Sequence, residues 1–171
     1  MNIIKKIQAN RIIKKRLNNR ISSLDGFECA KSVLILFDLQ RTPVVNFFSP
    51  LIKSLEEVDI QVEIVGFRPN KNVKKTDYCP VFYNADFGLD GQLNAQNIKP
   101  VFDKTFDVLI NYFDEAKWQL IGASLQIKNH FSVGFPELDK RLNDLILNTG
   151  INEREVFEKE LIKYLKLFKK I

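Results

Sequence analysis

The chain has 171 residues, 45% hydrophobic and 27% charged, with a net charge of +5. That composition fits one globular domain with a sizeable core and excludes wholesale disorder or a fibrous rod. A single His and two distant Cys exclude a multi-ligand zinc site and a Cys-x-x-Cys redox pair, and no apolar run approaches the roughly 20 residues that span a bilayer. The charge is lopsided. Residues 1–24 hold Lys5, Lys6, Arg11, Lys14, Lys15, Arg16 and Arg20 with no Asp or Glu, whereas the rest of the chain has more acids than bases. Such asymmetry points to a segment that meets a polyanion, either nucleic acid or an acidic membrane surface.

The N-terminal segment reads as a helix over residues 2–21. Ile3, Ile7, Ile13, Leu17, Ile21 and Leu24 fall within one arc at 100° per residue, with Lys6 and Lys14 intruding. Two readings of the other faces stand side by side: a solvated basic surface on a docked helix, or a surface that grips phosphates. The longest apolar runs here are the pairs Ile3-Ile4 and Ile12-Ile13, too short for a secretory signal. Cys29 and Cys79 then read as reduced core thiols of a cytoplasmic protein, with a lone disulfide as the alternative.

Asp25-Gly26 marks a turn between a basic arm, 1–24, and a body, 25–171. Ser32 to Asp38 is a short continuous apolar run, as in a buried parallel strand. Thr42-Pro43 opens a helix whose apolar face is Val45, Phe48, Ile52 and Leu55, with a kink or restart at Ser49-Pro50. Ile60 to Phe67 alternates as a second strand and completes a βαβ unit. Residues 68–100 are irregular, with a turn at 69–72, a small basic group at Lys71, Lys74 and Lys75, a short strand within Tyr78 to Tyr83 and a loop at 86–91. Phe106 to Asn111, a helix over 117–125 and Phe131 to Phe135 form a second βαβ unit. Residues 143–148 read as a strand by likeness to 106–111. Asn152 and Glu155 suggest a capping box for a last helix with Phe157, Leu161, Tyr164, Leu165 and Phe168 as its buried stripe. Lysines crowd its C-terminal end, which suits the helix dipole and solubility. The sum is a three-layer, Rossmann-like α/β domain with a mostly parallel sheet of about five strands and an added basic N-terminal helix. Sites in such sheets lie beyond the strands' carboxyl ends, here marked by Asp38, Arg68, Asn111 to Asp114 and Asn148 to Gly150.

Motifs for catalysis are thin. No Gly-x-Gly-x-x-Gly or Gly-x-x-x-x-Gly-Lys-Ser/Thr loop follows a strand, so no phosphate cradle is expected. Phe37 to Thr42 resembles the phosphatase loop of the haloacid dehalogenase superfamily, but Gln40 stands where that loop needs its second, proton-exchanging Asp, and Asp114-Glu115 is a weak stand-in for a magnesium pair. Asp38 then reads as a strand-end or capping residue, and His130 as a surface or capping residue. No catalytic residue, metal site or cofactor is expected.

Several landmarks in order carry a family resemblance. They are the basic segment, Val33 to Asp38, Asn84 to Gly88, Phe106 to Asn111, Phe131 to Gly134, Asn143 to Leu147 and the closing helix. Together they resemble a Bacteroidetes family classed as a domain of unknown function. The resemblance implies organisation and a cytoplasmic bacterial setting, without an activity. Phe106 to Phe135, with Ile121-Gly122-Ala123-Ser124 inside it, is also similar to part of the acceptor domain of heptosyltransferase-type glycosyltransferases. Those enzymes need a second nucleotide-sugar domain for which this chain is too short, so the likeness speaks for fold rather than activity.

The expected function is therefore non-catalytic binding. The seven cations of residues 1–24 are expected to neutralise RNA phosphates, with the ribosome as the setting, positioning the protein without reading sequence. The alternatives are peripheral membrane attachment by the same helix, a protein–protein adaptor, or an enzyme with its site at the strand ends around Asp38.

Overall fold

A computed structural model describes residues 3–20, 29–42, 46–71 and 78–171. The elements in chain order are α1 (Ile3–Asn19), β1 (Ser32–Asp38), α2 (Ser49–Glu56), β2 (Gln61–Arg68), β3 (Val81–Tyr83), α3 (Lys99–Phe102), β4 (Thr105–Tyr112), α4 (Trp118–Ser124), β5 (Lys128–Gly134), β6 (Leu145–Ile146) and α5 (Arg154–Leu167). All strands pair in parallel, in the order β3-β2-β1-β4-β5-β6. This is the doubly wound, Rossmann strand order. Among the described residues there are six strands, where about five were expected, and the edge strands β3 and β6 have three and two residues. Short edges leave few unpaired backbone groups to template aggregation.

β1 lies at the centre because it is apolar on both faces. Leu34 and Leu36 join the core on one side, and Val33, Ile35 and Phe37 join the core on the other. Ile35 pairs with Ile64 of β2 and Ile110 of β4, which sets one register across the middle of the sheet. At the amino edge, Asp107 Oδ2 accepts the backbone N–H groups of Lys31 and Ser32 at 2.8 and 3.0 Å, tying the start of β1 to β4. One core holds Ala9 and Leu17 of α1, Val101 of α3 and Leu120 and Ala123 of α4. The other holds Leu51 and Leu55 of α2 and Phe157, Leu161 and Leu165 of α5. The molecule is thus three-layered, and α1 is part of one outer layer rather than a projecting arm.

Pro50 decides where α2 begins. It occupies the first turn, where its missing N–H has no helical partner to lose. The restart expected at Ser49-Pro50 is therefore the true start of the helix. Pro43 and Val45 lie outside the described residues, as do Ile21, Leu24, the Asp25-Gly26 turn, Lys74 and Lys75.

Four local expectations are corrected. The apolar stripe of α1 is rotated: Ile3 is 75% and Ile7 49% exposed, while Ala9 and Leu17 are buried with Ile13 packed beside them. Small Ala9 lets the helix approach the backbone of Gly91, whose φ of +69° favours glycine. In α5 the Asn152–Glu155 capping box does not form. The helix starts after Glu153, whose carboxylate turns back to accept the Gly150 N–H at 2.7 Å. Phe168 lies beyond that helix's last turn and is 41% exposed. Cys29 is exposed rather than a core residue, whereas Cys79 is half-buried and packs against the core that holds α2 and α5.

Candidate functional site

The strand order reverses between β1 and β4, so the crevice beyond their carboxyl ends is the place where this topology seats ligands. Here it is closed by the protein's own charges. The Asp38 side chain is buried. Its Oδ1 accepts the Gln40 N–H at 2.9 Å and its Oδ2 pairs with Lys117. Lys117 also reaches Glu115 at 3.2 Å, and Arg41 pairs with Asp114 at 2.9 Å. Burial by itself would lower the Lys117 pKa, but the hydrogen bond and charge of Asp38, aided by Glu115, hold it above the ordinary lysine value. Both cations are consumed by carboxylates, and Asp114 Oδ1 is buried with no hydrogen bond. A phosphate entering this crevice would meet uncompensated negative charge. Asp38 is thus a strand-end residue locked by Lys117, a partner 79 positions away. Among the described residues no three His, Cys, Asp or Glu side chains converge as a metal site requires.

The seven cations of α1 and its end fall into three groups. Arg20 is an internal anchor. Its Nη1 and Nη2 donate to the two oxygens of Asp144 at 3.0 and 2.6 Å, and Nη2 also donates to Ser132 Oγ at 2.7 Å. The Asp144 side chain is 1% exposed, so this fork binds the end of α1 to β5 and the approach to β6. Lys5 is half-buried and donates to the Asn84 carbonyl at 3.5 Å at the other end of the helix. Lys6, Arg11, Lys14 and Lys15 are exposed, Arg16 is half-buried, and none of these five has an ion pair among the described residues.

Beside α1 lies a groove of about 960 Å³, walled by the helix on one side and by the start of β5 on the other. Lys15, Arg16 and Arg20 line the helix wall, and Lys128 and His130 line the strand wall. Leu109 and Leu142 are buried beneath, and Asp90 is the one carboxylate in the lining. Because every strand runs the same way, this groove opens near the amino ends of β4 and β5, opposite the closed crevice.

Residues 5–168 match a family described as a Family of unknown function (DUF6913). The chain belongs to that family. No curated protein and no solved structure matches the chain. The DUF6913 match begins at residue 5 and so takes in the basic helix together with the sheet. In this DUF6913 protein the helix is packed in one core with α4, and the two are continuous parts of the fold.

Sequence reasoning about the DUF6913 chain missed Lys128, Asp90 and Lys117 altogether, and it treated His130 as a surface residue. No local motif marks them. Lys128 and His130 open a strand, and they share a groove with Lys15 and Arg16 only because α1 folds back across that strand's start. Asp144 carried no signal either. Its importance comes from Arg20, 124 positions earlier.

Proposed function

We propose that this protein is a non-catalytic binding protein that lays the outer face of α1 on RNA phosphates, with ribosomal RNA in the cytoplasm as the first substrate to test. One observation carries the reading: Lys6, Arg11, Lys14, Lys15 and Arg16 stand on a docked helix with no acid in residues 3–20 and no ion-pair partner among the described residues. Like charges crowded on one short helix repel, which opposes folding. A polyanion relieves that repulsion and releases its own counterions on binding. Docking of α1 by Ala9, Leu17 and the Arg20 fork gives the surface a fixed geometry. Contacts of this type hold a protein in place without reading bases.

The test is anisotropy of a labelled single-stranded RNA across a salt series. With Lys6, Arg11, Lys14, Lys15 and Arg16 engaged, the slope of log K against log salt is expected at about −3.5 for a single strand. A slope near zero overturns the reading.

A second reading has an observation of its own. Ile3 and Ile7 are exposed on the same outer face as Lys14, which is the mixture that an interfacial helix presents to anionic lipid. Co-sedimentation with phosphatidylserine vesicles, lost in an Ile3→Ser/Ile7→Ser variant that retains RNA binding, would favour it.

A further inference from the structure

We infer that the groove between α1 and β5 is a nucleotide seat, which takes a base with its 5′-phosphate either as a free mononucleotide or as an unpaired residue of an RNA strand. The inference rests on the reading of α1 as a phosphate-contacting helix and adds to it a place for the base.

The walls set the charge. Lys15 and Arg16 come from the helix and Lys128 from the facing strand, and none of the three has an ion-pair partner among the described residues. Cations approaching from two elements converge on one anion, whereas a solvated helix face spreads them outward. Arg20, fixed between Asp144 and Ser132, supplies a rigid back wall rather than a free charge. The floor is different in kind. Ile12 and Leu125 are half-buried on the lining and give the floor its accessible apolar surface, with Leu109 and Leu142 buried behind them. A fully hydrated inorganic anion has no use for an apolar floor, whereas a flat ring covers it and gains from leaving water. Asn19 and Asn129 lie on the lining; Asn19 carries both donor and acceptor groups suited to a ring edge, and Asn129, whose Nδ2 donates to the Ile127 carbonyl at 3.1 Å, keeps its Oδ1 as an acceptor. Asp90, exposed at the mouth, is placed to accept hydrogen bonds from ribose hydroxyls. The volume of about 960 Å³ falls at the top of the range for small-ligand sites. It is large for one nucleotide, so the strand on either side of the seated residue has room to enter and leave. The position also matters. The crevice where this topology seats nucleotides is filled by Asp38, Lys117, Arg41 and Asp114, so the open cationic space lies at the other end of the sheet.

The experiment is calorimetric titration of the full chain with AMP, ribose 5-phosphate and inorganic phosphate, in parallel with single- and double-stranded RNA. AMP is expected to bind at least ten-fold more tightly than ribose 5-phosphate, and inorganic phosphate more weakly still. Lys128→Glu, on an exposed strand-start side chain away from α1, is expected to weaken AMP at least ten-fold with unchanged circular dichroism and melting temperature. Lys14→Glu, on the outer face of α1, is expected to weaken RNA and leave AMP unchanged. Preference for single-stranded over double-stranded RNA, lost in Lys128→Glu, identifies a seated residue of a strand; AMP binding without RNA binding identifies a free nucleotide and sinks the helix reading alone. RNA binding with the expected salt slope, but with AMP absent or equal to ribose 5-phosphate, overturns the seat and leaves the helix reading standing. Absence of both overturns both.

Discussion

The two ends of the sheet handle charge in opposite ways. At the carboxyl end, Lys117 and Arg41 are both taken up by the carboxylates of Asp38, Asp114 and Glu115. At the amino end, Lys15, Arg16 and Lys128 face a groove with no partner among the described residues. Paired charge with one member buried serves stability, because removing one partner strands the other in a poor solvent. Unpaired charge adds nothing to folding and is left open to a partner from outside the fold. Arg20 sharpens the contrast. It belongs to the same cationic run as Arg16, yet its fork with Asp144 places it in the stabilising class.

The largest expected effect is at that fork. Asp144→Ala leaves Arg20 and Ser132 without their shared acceptor and is expected to cost about 3 kcal/mol in urea unfolding, in line with breaking a buried pair. A loss below about 1 kcal/mol would put Arg20 with the unpaired cations. Next comes the closed crevice. Asp38→Asn keeps an acceptor for the Gln40 N–H but removes the charge that holds Lys117, and a loss of about 2 kcal/mol is expected. The sign with pH follows from the raised Lys117 pKa. Its contribution is complete below the ordinary lysine value of 10.5 and fades as pH climbs through the higher folded value. Wild-type stability should therefore fall in that alkaline window, and the fall should be shallower in Asp38→Asn.

At the open end the expectation reverses. Arg11→Glu and Lys14→Glu each relieve repulsion along α1, so thermal unfolding should move by less than about 0.5 kcal/mol in either direction. RNA binding should weaken, with the salt slope reduced by about 1 to 2 per reversal. A large stability loss in either variant would erase the difference between the two ends. The smallest effect belongs to Glu158, near the carboxyl end of β4. Burial, opposed by Arg154 and reinforced by Glu155, raises its pKa above the ordinary glutamate value. Its ionisation therefore works against folding. Glu158→Gln should stabilise slightly at pH 7 and make no difference at pH 3, where the carboxyl is protonated folded or unfolded. Chemical denaturation at the two pH values checks this.

Much of the fold was legible because it depends on short-range pattern. The run from Val33 to Phe37 announced a strand buried on both faces. Strand–helix–strand spacing announced parallel pairing, and Pro50 marked a break where α2 in fact begins, although the helix was expected to open at Thr42-Pro43. The site was legible only in part. The cations of α1 stood out by sheer density, but their division into anchors and exposed groups did not. The expected stripe through Ile3 and Ile7 failed for the same reason. Periodicity offers several adjacent arcs, and the one that is buried depends on what lies beneath it, here Gly91, α4 and Asp144.

The amino-acid sequence by itself determined a mostly parallel α/β sheet, a strand buried on both faces and the concentration of positive charge near the start, because hydrophobic period and net charge are local quantities. Only the tertiary structure decided that Arg20 is spent on Asp144, that Lys117 closes the crevice over Asp38, and that Lys128 faces Arg16 across a groove. Each of these joins residues some 80 to 124 positions apart, and neighbours at such separations exist only after the sheet has brought its strand ends together.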